Sequence, residues 1–123
     1  MSYDIQLYRR EVREQEQHYP GDDFFDHDEL LLPFTPAQHQ ALHERLLSYG
    51  YQVLQQRPDA TDYRLSGEHQ AQALLTESGL YFSAGTADFD NVFEIRMTAS
   101  EFTDTGEFAK YDPQVDGWED FDG

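Results

Sequence analysis

The chain has 123 residues, no cysteine, and a formal net charge of −17 from 25 acids against one lysine and seven arginines. That length predicts one domain, able to bury roughly two thirds of its unfolded surface without a metal or disulfide. The missing thiols exclude thiolate metal sites, thiol catalysis and iron–sulfur clusters, and the charge opposes nucleic acid and anionic membranes, both of which need cationic contacts.

The first residues, MSYDIQLYRREV, lack a basic start followed by an apolar run. No secretory signal is expected there, and the expected location is cytoplasmic. Tyr3, Ile5 and Leu7 alternate with Asp4, Gln6 and Tyr8, the period of a half-buried strand. Residues 9–17, RREVREQEQ, favour helix by propensity but hold Val12 as their single apolar residue, so helical turns and a strand extension both stay open. His18-Tyr19-Pro20-Gly21 breaks the chain, and the acidic stretch from Asp22 to Glu29 reads as a loop. The longest apolar run, Leu30-Leu31-Leu32, is far too short for a membrane span, which takes roughly 20 residues.

A helix is predicted from Pro36 to about Tyr49. Thr35 is a good N-cap, Pro36 suits the first helical position, and Gln38 completes a capping box. Gly50 supplies a left-handed stop, and Leu42, Leu46 and Tyr49 share one face. Strand signals follow at 51–56, 63–66, 70–76 and 80–84, with Glu77-Ser78-Gly79 marking a hairpin. The stretch from Val92 to Thr98 also alternates: Phe93, Ile95, Met97 and Ala99 on one side, Val92, Glu94, Arg96 and Thr98 on the other. Alternating strands predict one covered face, hence an antiparallel sheet. Past Ser100 the periodicity fades, with Phe102, Phe108 and Tyr111 as docking residues. The expected fold is α+β: a single antiparallel sheet of about five strands, the helix over 36–49 packed on one face, a domain over 1–111, and a mobile acidic tail over 112–123.

Nucleophile elbows, P-loops and dinucleotide fingerprints are all missing, which leans the reading away from an enzyme and gives no cofactor. His39 and His43 lie four apart on the predicted helix, a spacing that can chelate zinc, but HQALH lacks the glutamate base of the metalloprotease motif. A third ligand such as His69 or His27 has no assigned place. Asp112-Pro-Gln-Val-Asp116-Gly117 resembles the front of a calcium loop, with Asp120 at position 9, yet Gly123 stands where a bidentate glutamate is required. Three stretches interleave acids with aromatics: Asp22-Asp23-Phe24-Phe25-Asp26-His27-Asp28-Glu29, Asp88-Phe89-Asp90, and Trp118-Glu119-Asp120-Phe121-Asp122. Such aromatics are either core anchors or binding hot spots, and the acids around them would steer a basic surface inward. From these features the expected function is a small non-enzymatic protein binding a basic protein partner, of inhibitor or immunity type or as a nucleic-acid mimic. The candidate contacts are Asp22, Asp23, Asp26, Asp28, Asp88, Phe89, Asp90, Trp118 and Phe121. The other readings are a metal protein or metal-dependent enzyme using His39 and His43, and a housekeeping domain. The sequence leaves the oligomeric state open.

Overall fold

The computed structural model describes residues 2–21, 23–27, 30–65, 71–85, 89–114 and 117–119. Strand β1 (Ser2–Arg9) leads into helix α1 (Arg10–His18), then a 3-10 turn (Phe24–Asp26) and helix α2 (Pro36–Ser48). Four strands follow: β2 (Tyr51–Arg57), β3 (Ala60–Leu65), β4 (Ala71–Thr76) and β5 (Leu80–Gly85). Helix α3 (Phe89–Phe102), β6 (Phe108–Asp112) and β7 (Gly117–Glu119) complete the described chain. The strands form one seven-stranded sheet in the order β2-β3-β4-β5-β1-β6-β7. Each neighbouring pair is antiparallel.

The alternation of β1 sets the two faces. Ile5 and Leu7 point to the side where α2 and α3 lie, joining Tyr63, Leu75 and Phe82 from other strands. Leu42 and Leu46 of α2 and Ile95, Ala99 and Phe102 of α3 close this main core. Tyr8 points the other way, into a smaller core with Val12 of α1, Phe24, Leu31 and Tyr111. Among the described residues, the second core lies at the β5–β1–β6–β7 end of its face.

Helix α2 forms as its end signals dictate. Thr35 Oγ1 accepts from the Gln38 N–H at 3.1 Å, and Gln38 Oε1 accepts from the Thr35 N–H at 2.9 Å. Gly50 has φ +97° and donates its N–H to the Leu47 carbonyl, so the helix stops in the left-handed conformation that glycine reaches most easily.

Two expectations need correction. Residues 92–98 are not a strand but the middle of α3. Its buried residues Asn91, Ile95, Thr98, Ala99 and Phe102 fall at i, i+4, i+7, i+8 and i+11, one face of a helix, while Phe93 and Met97 are exposed. Periods of 2 and of 3.6 both select Ile95 and Ala99, and the alternation was satisfied by residues that a helix turns outward. Among the described residues the sheet also has seven strands rather than about five, and three helices stand where one main helix is expected. Residues 10–18 resolve as α1 with Val12 inward. Of the stretch expected as a tail, Asp112 ends β6 and Gly117–Glu119 forms β7 against it. No described helix is long and apolar enough to cross a membrane.

Candidate functional site

Two of the three acid–aromatic stretches meet. Phe25 stacks on Tyr8 with ring centroids 5.4 Å apart and lies 6.0 Å from Trp118, which comes from β7 at the far end of the chain. Tyr111 joins both, at 4.7 Å from Phe25 and 5.0 Å from Trp118. Tyr19 packs edge-on to Phe24 at 5.5 Å. The indole N–H of Trp118 donates to Glu16 Oε1 at 2.9 Å, fastening β7 to α1. These rings bury apolar area and prefer tilted or edge-on geometry, so they anchor the loop and β7 to the sheet.

Phe25 and Trp118, one from each stretch, thus meet in one aromatic cluster. In the sequence, 22–29 carries five acids and 112–123 five more, and α1 has Glu11, Glu14 and Glu16 against Arg10 and Arg13. Asp23 is exposed, and hydrogen bonds from Tyr19 and then His27 hold its carboxyl below the usual range. The His27 Nε2–Asp23 Oδ2 distance is 3.0 Å. Asp26 ends the 3-10 turn. Asp22, Asp28 and Phe121 lie outside the described residues. The remaining stretch stands apart: Phe89 opens α3, which packs on the other face, and Asp90 is exposed in its first turn. Asp88 is outside the described residues.

The histidine pair is divided by its surroundings. His43 Nδ1 lies 2.6 Å from the Tyr63 hydroxyl. Burial pushes the Tyr63 phenol up, so it stays protonated and can donate to an unprotonated Nδ1. His39 instead lines a cavity of about 420 Å³ beside Arg57, Asp59, Thr61 and Glu77. Among the described residues, no group of three or more His, Asp or Glu side chains is placed to hold a metal ion. His27 is engaged by Asp23, and His69 is outside the described residues.

Asp112 is buried and committed to the fold. Its Oδ2 accepts from the Tyr3 hydroxyl at 2.7 Å, and its Oδ1 accepts from the Gln114 backbone at 3.0 Å and amide side chain at 2.6 Å. Gln114 in turn bonds both backbone groups of Asp4, accepting at 2.8 Å and donating at 2.7 Å. The residue that resembled the first calcium ligand thus ties the end of β6 to the start of β1. Asp116 and Asp120 lie outside the described residues.

A further feature had no sequence motif. On the face opposite α2 and α3, the β2–β5 half of the sheet presents polar side chains in cross-strand rows. One row runs Asp4, Ser83, Gln72, Arg64 and Gln52, and the next Gln6, Tyr81, Leu74, Asp62 and Gln55. With Leu54 at its border, this surface forms a shallow cavity of about 370 Å³. The signal was the polar half of each alternating strand, which read only as solvent-facing.

Compared with protein-family models, with curated protein sequences and with solved structures, the chain has no significant match.

Proposed function

We propose that the protein is a small non-enzymatic binding protein, whose acid-rich surface around the Phe25–Trp118 cluster takes a basic protein partner. The observation that supports this reading is the 6.0 Å approach of Phe25 and Trp118, because each ring belongs to a stretch of sequence rich in acids. Aromatics already anchored in the free protein lose less entropy when a partner docks. Clustered carboxylates raise the encounter rate with a cationic surface and repel anionic competitors. The net charge of −17 acts in the same direction at longer range. A protein of this kind would act as an inhibitor or immunity-type protein, shielding the cationic site of a nuclease or other toxin.

The test is capture by the immobilised chain at two ionic strengths. Capture of a basic partner should weaken steeply between about 0.05 and 0.5 M salt, as the screening length shortens. Replacing Asp22, Asp23, Asp26 and Asp28 together by Asn should reduce capture at least roughly tenfold, with the melting temperature preserved. The same exchange at Asp88 and Asp90 should have a smaller effect. Capture indifferent to salt and to the four-residue exchange would sink the proposal.

A further inference from the structure

We infer that the outer edge of β2 is a self-association surface, on which a second copy of this chain pairs strand to strand. Among the described residues, β3 alone borders β2, and every residue from Gln52 to Arg57 is exposed. An edge strand presents unpaired N–H and C=O groups, which proteins usually guard with charge, proline, a bulge or extreme shortness. Here the strand is seven residues long; Arg57 and Pro58 guard its end and a bulge interrupts it at Leu54, but Gln52-Val53-Leu54-Gln55-Gln56 contains neither charge nor proline.

The apolar surface agrees. Among the described residues the large exposed hydrophobics are Leu47, Val53, Leu54, Phe93 and Met97, and three of the five lie at this edge. Leu54 is 63% exposed, Val53 45% and Leu47 44%. Arg45 of α2 reaches Asp104 just beyond α3. Leu47, two residues on, lies about 200° around the helix and so faces the β2 side. Val53 pairs with Tyr63 and points to the helix-bearing face, beneath that side of α2. The register shift at Leu54 makes it the unmatched residue of a bulge, and its side chain borders the opposite face. A two-fold axis near Leu54 would set bulge against bulge, the self-complementary arrangement an isologous pair needs.

Charge names the occupant. From Pro36 to Arg57 the chain holds Glu44 against Arg45 and Arg57, a net of −1 + 2 = +1, so the remaining residues carry −17 − 1 = −18. Two copies would meet little repulsion along this stretch, while a basic partner would be drawn to the acids of the rest of the chain. The pairing would also join two uncovered half-sheets into one continuous face. Its salt dependence is the reverse of that expected for basic-partner capture, since screening lowers the repulsion between two acidic copies.

Analytical ultracentrifugation of the full chain at about 100 µM, in about 0.05 and 0.5 M NaCl, tests this. The expected result is a monomer–dimer equilibrium that tightens with salt. The double variant Val53→Lys/Leu54→Lys should weaken it at least roughly tenfold while melting as the parent does, because both side chains are exposed. Phe93→Lys, exposed on α3, should leave it intact. A monomer in both salts, a dimer loosened by salt, one indifferent to the double variant, or one lost equally with Phe93→Lys would each overturn the inference.

Discussion

Arg45 shows how one side chain joins several elements. Its guanidinium donates to both carboxylate oxygens of Asp104 at 2.8 and 2.9 Å and to the Glu101 carbonyl at 2.9 Å. It also sits 4.9 Å from the centre of the Phe102 ring. The ion pair holds the Asp104 carboxyl below its ordinary value. A carboxyl with a depressed folded pKa contributes stability that is present above its unfolded value, near 3.8, and lost as pH falls through the folded value. Asp104 is exposed, so solvent screening keeps the pair modest. Asp104→Asn should therefore lower stability by up to about 1 kcal/mol at neutral pH. The difference from the parent should start to shrink as pH falls below 3.8 and vanish in denaturant titrations carried below the folded value. A gap that persists there would mean the carboxylate charge is not what Asn removes. Lys110, the one lysine, is only 2% exposed, and its ammonium donates to the Arg96 carbonyl at 3.1 Å and to Ser100 Oγ at 2.8 Å. It pins α3 to β6 through the last two turns of the helix.

At the scale of elements, α3 and β7 give the sharpest tests. If residues 89–102 are helical, Ile95→Ala should cost about 2–4 kcal/mol, the usual range for a buried aliphatic side chain. Phe93→Lys and Met97→Lys should change stability by about 0.5 kcal/mol or less, because both side chains face solvent. A strand would put Phe93, Ile95 and Met97 on one face, and all three changes would then be costly. Denaturant midpoints of the three variants separate the cases. Strand β7 has only three residues, so its place depends on Trp118 more than on its ladder. Trp118→Ala removes a ring packed on Phe25, Tyr8 and Tyr111 and leaves the Glu16 carboxylate without this donor. We expect a loss of about 2–3 kcal/mol, less than for a fully buried aromatic because Trp118 is partly exposed. A loss under about 0.5 kcal/mol in the same denaturant assay would show that β7 adds nothing to the fold.

For the whole molecule, a charge of −17 on 123 residues is a self-repelling field. Moderate salt should raise the melting temperature by screening it, whereas a protein held chiefly by its surface ion pairs would soften. Scanning calorimetry between about 0.02 and 0.5 M NaCl reads the sign directly. The distribution of that charge matters more than its sum. The stretch from Pro36 to Arg57, which forms α2 and the sheet edge opposite β7, carries Glu44 against Arg45 and Arg57 and is nearly neutral, so the net −17 comes from the rest of the chain.

By itself, the sequence determined the elements whose signals are local. Thr35, Pro36, Gln38 and Gly50 specify the ends of α2, because capping and a left-handed stop need only near neighbours. Alternation in β1 and the Glu77-Ser78-Gly79 hairpin are legible for the same reason. Tertiary structure decided the rest. Ile95 and Ala99 satisfy both periods, and packing of Phe102 against Phe82 at 5.9 Å accompanies the helical outcome for α3. Strand β6 reads as irregular because all five of its residues are buried, Lys110 and Asp112 among them, so no alternation survives in its sequence. Phe24, Phe25 and Trp118 carry the same acid–aromatic signature as Phe89, yet the first three converge while Phe89 opens a helix on the other face. Composition could name those rings as anchors or contacts. Only the chain's path, which seats β7 beside β6 and lays the 3-10 turn over Tyr8, could bring Phe25 and Trp118 from distant parts of the sequence to one place.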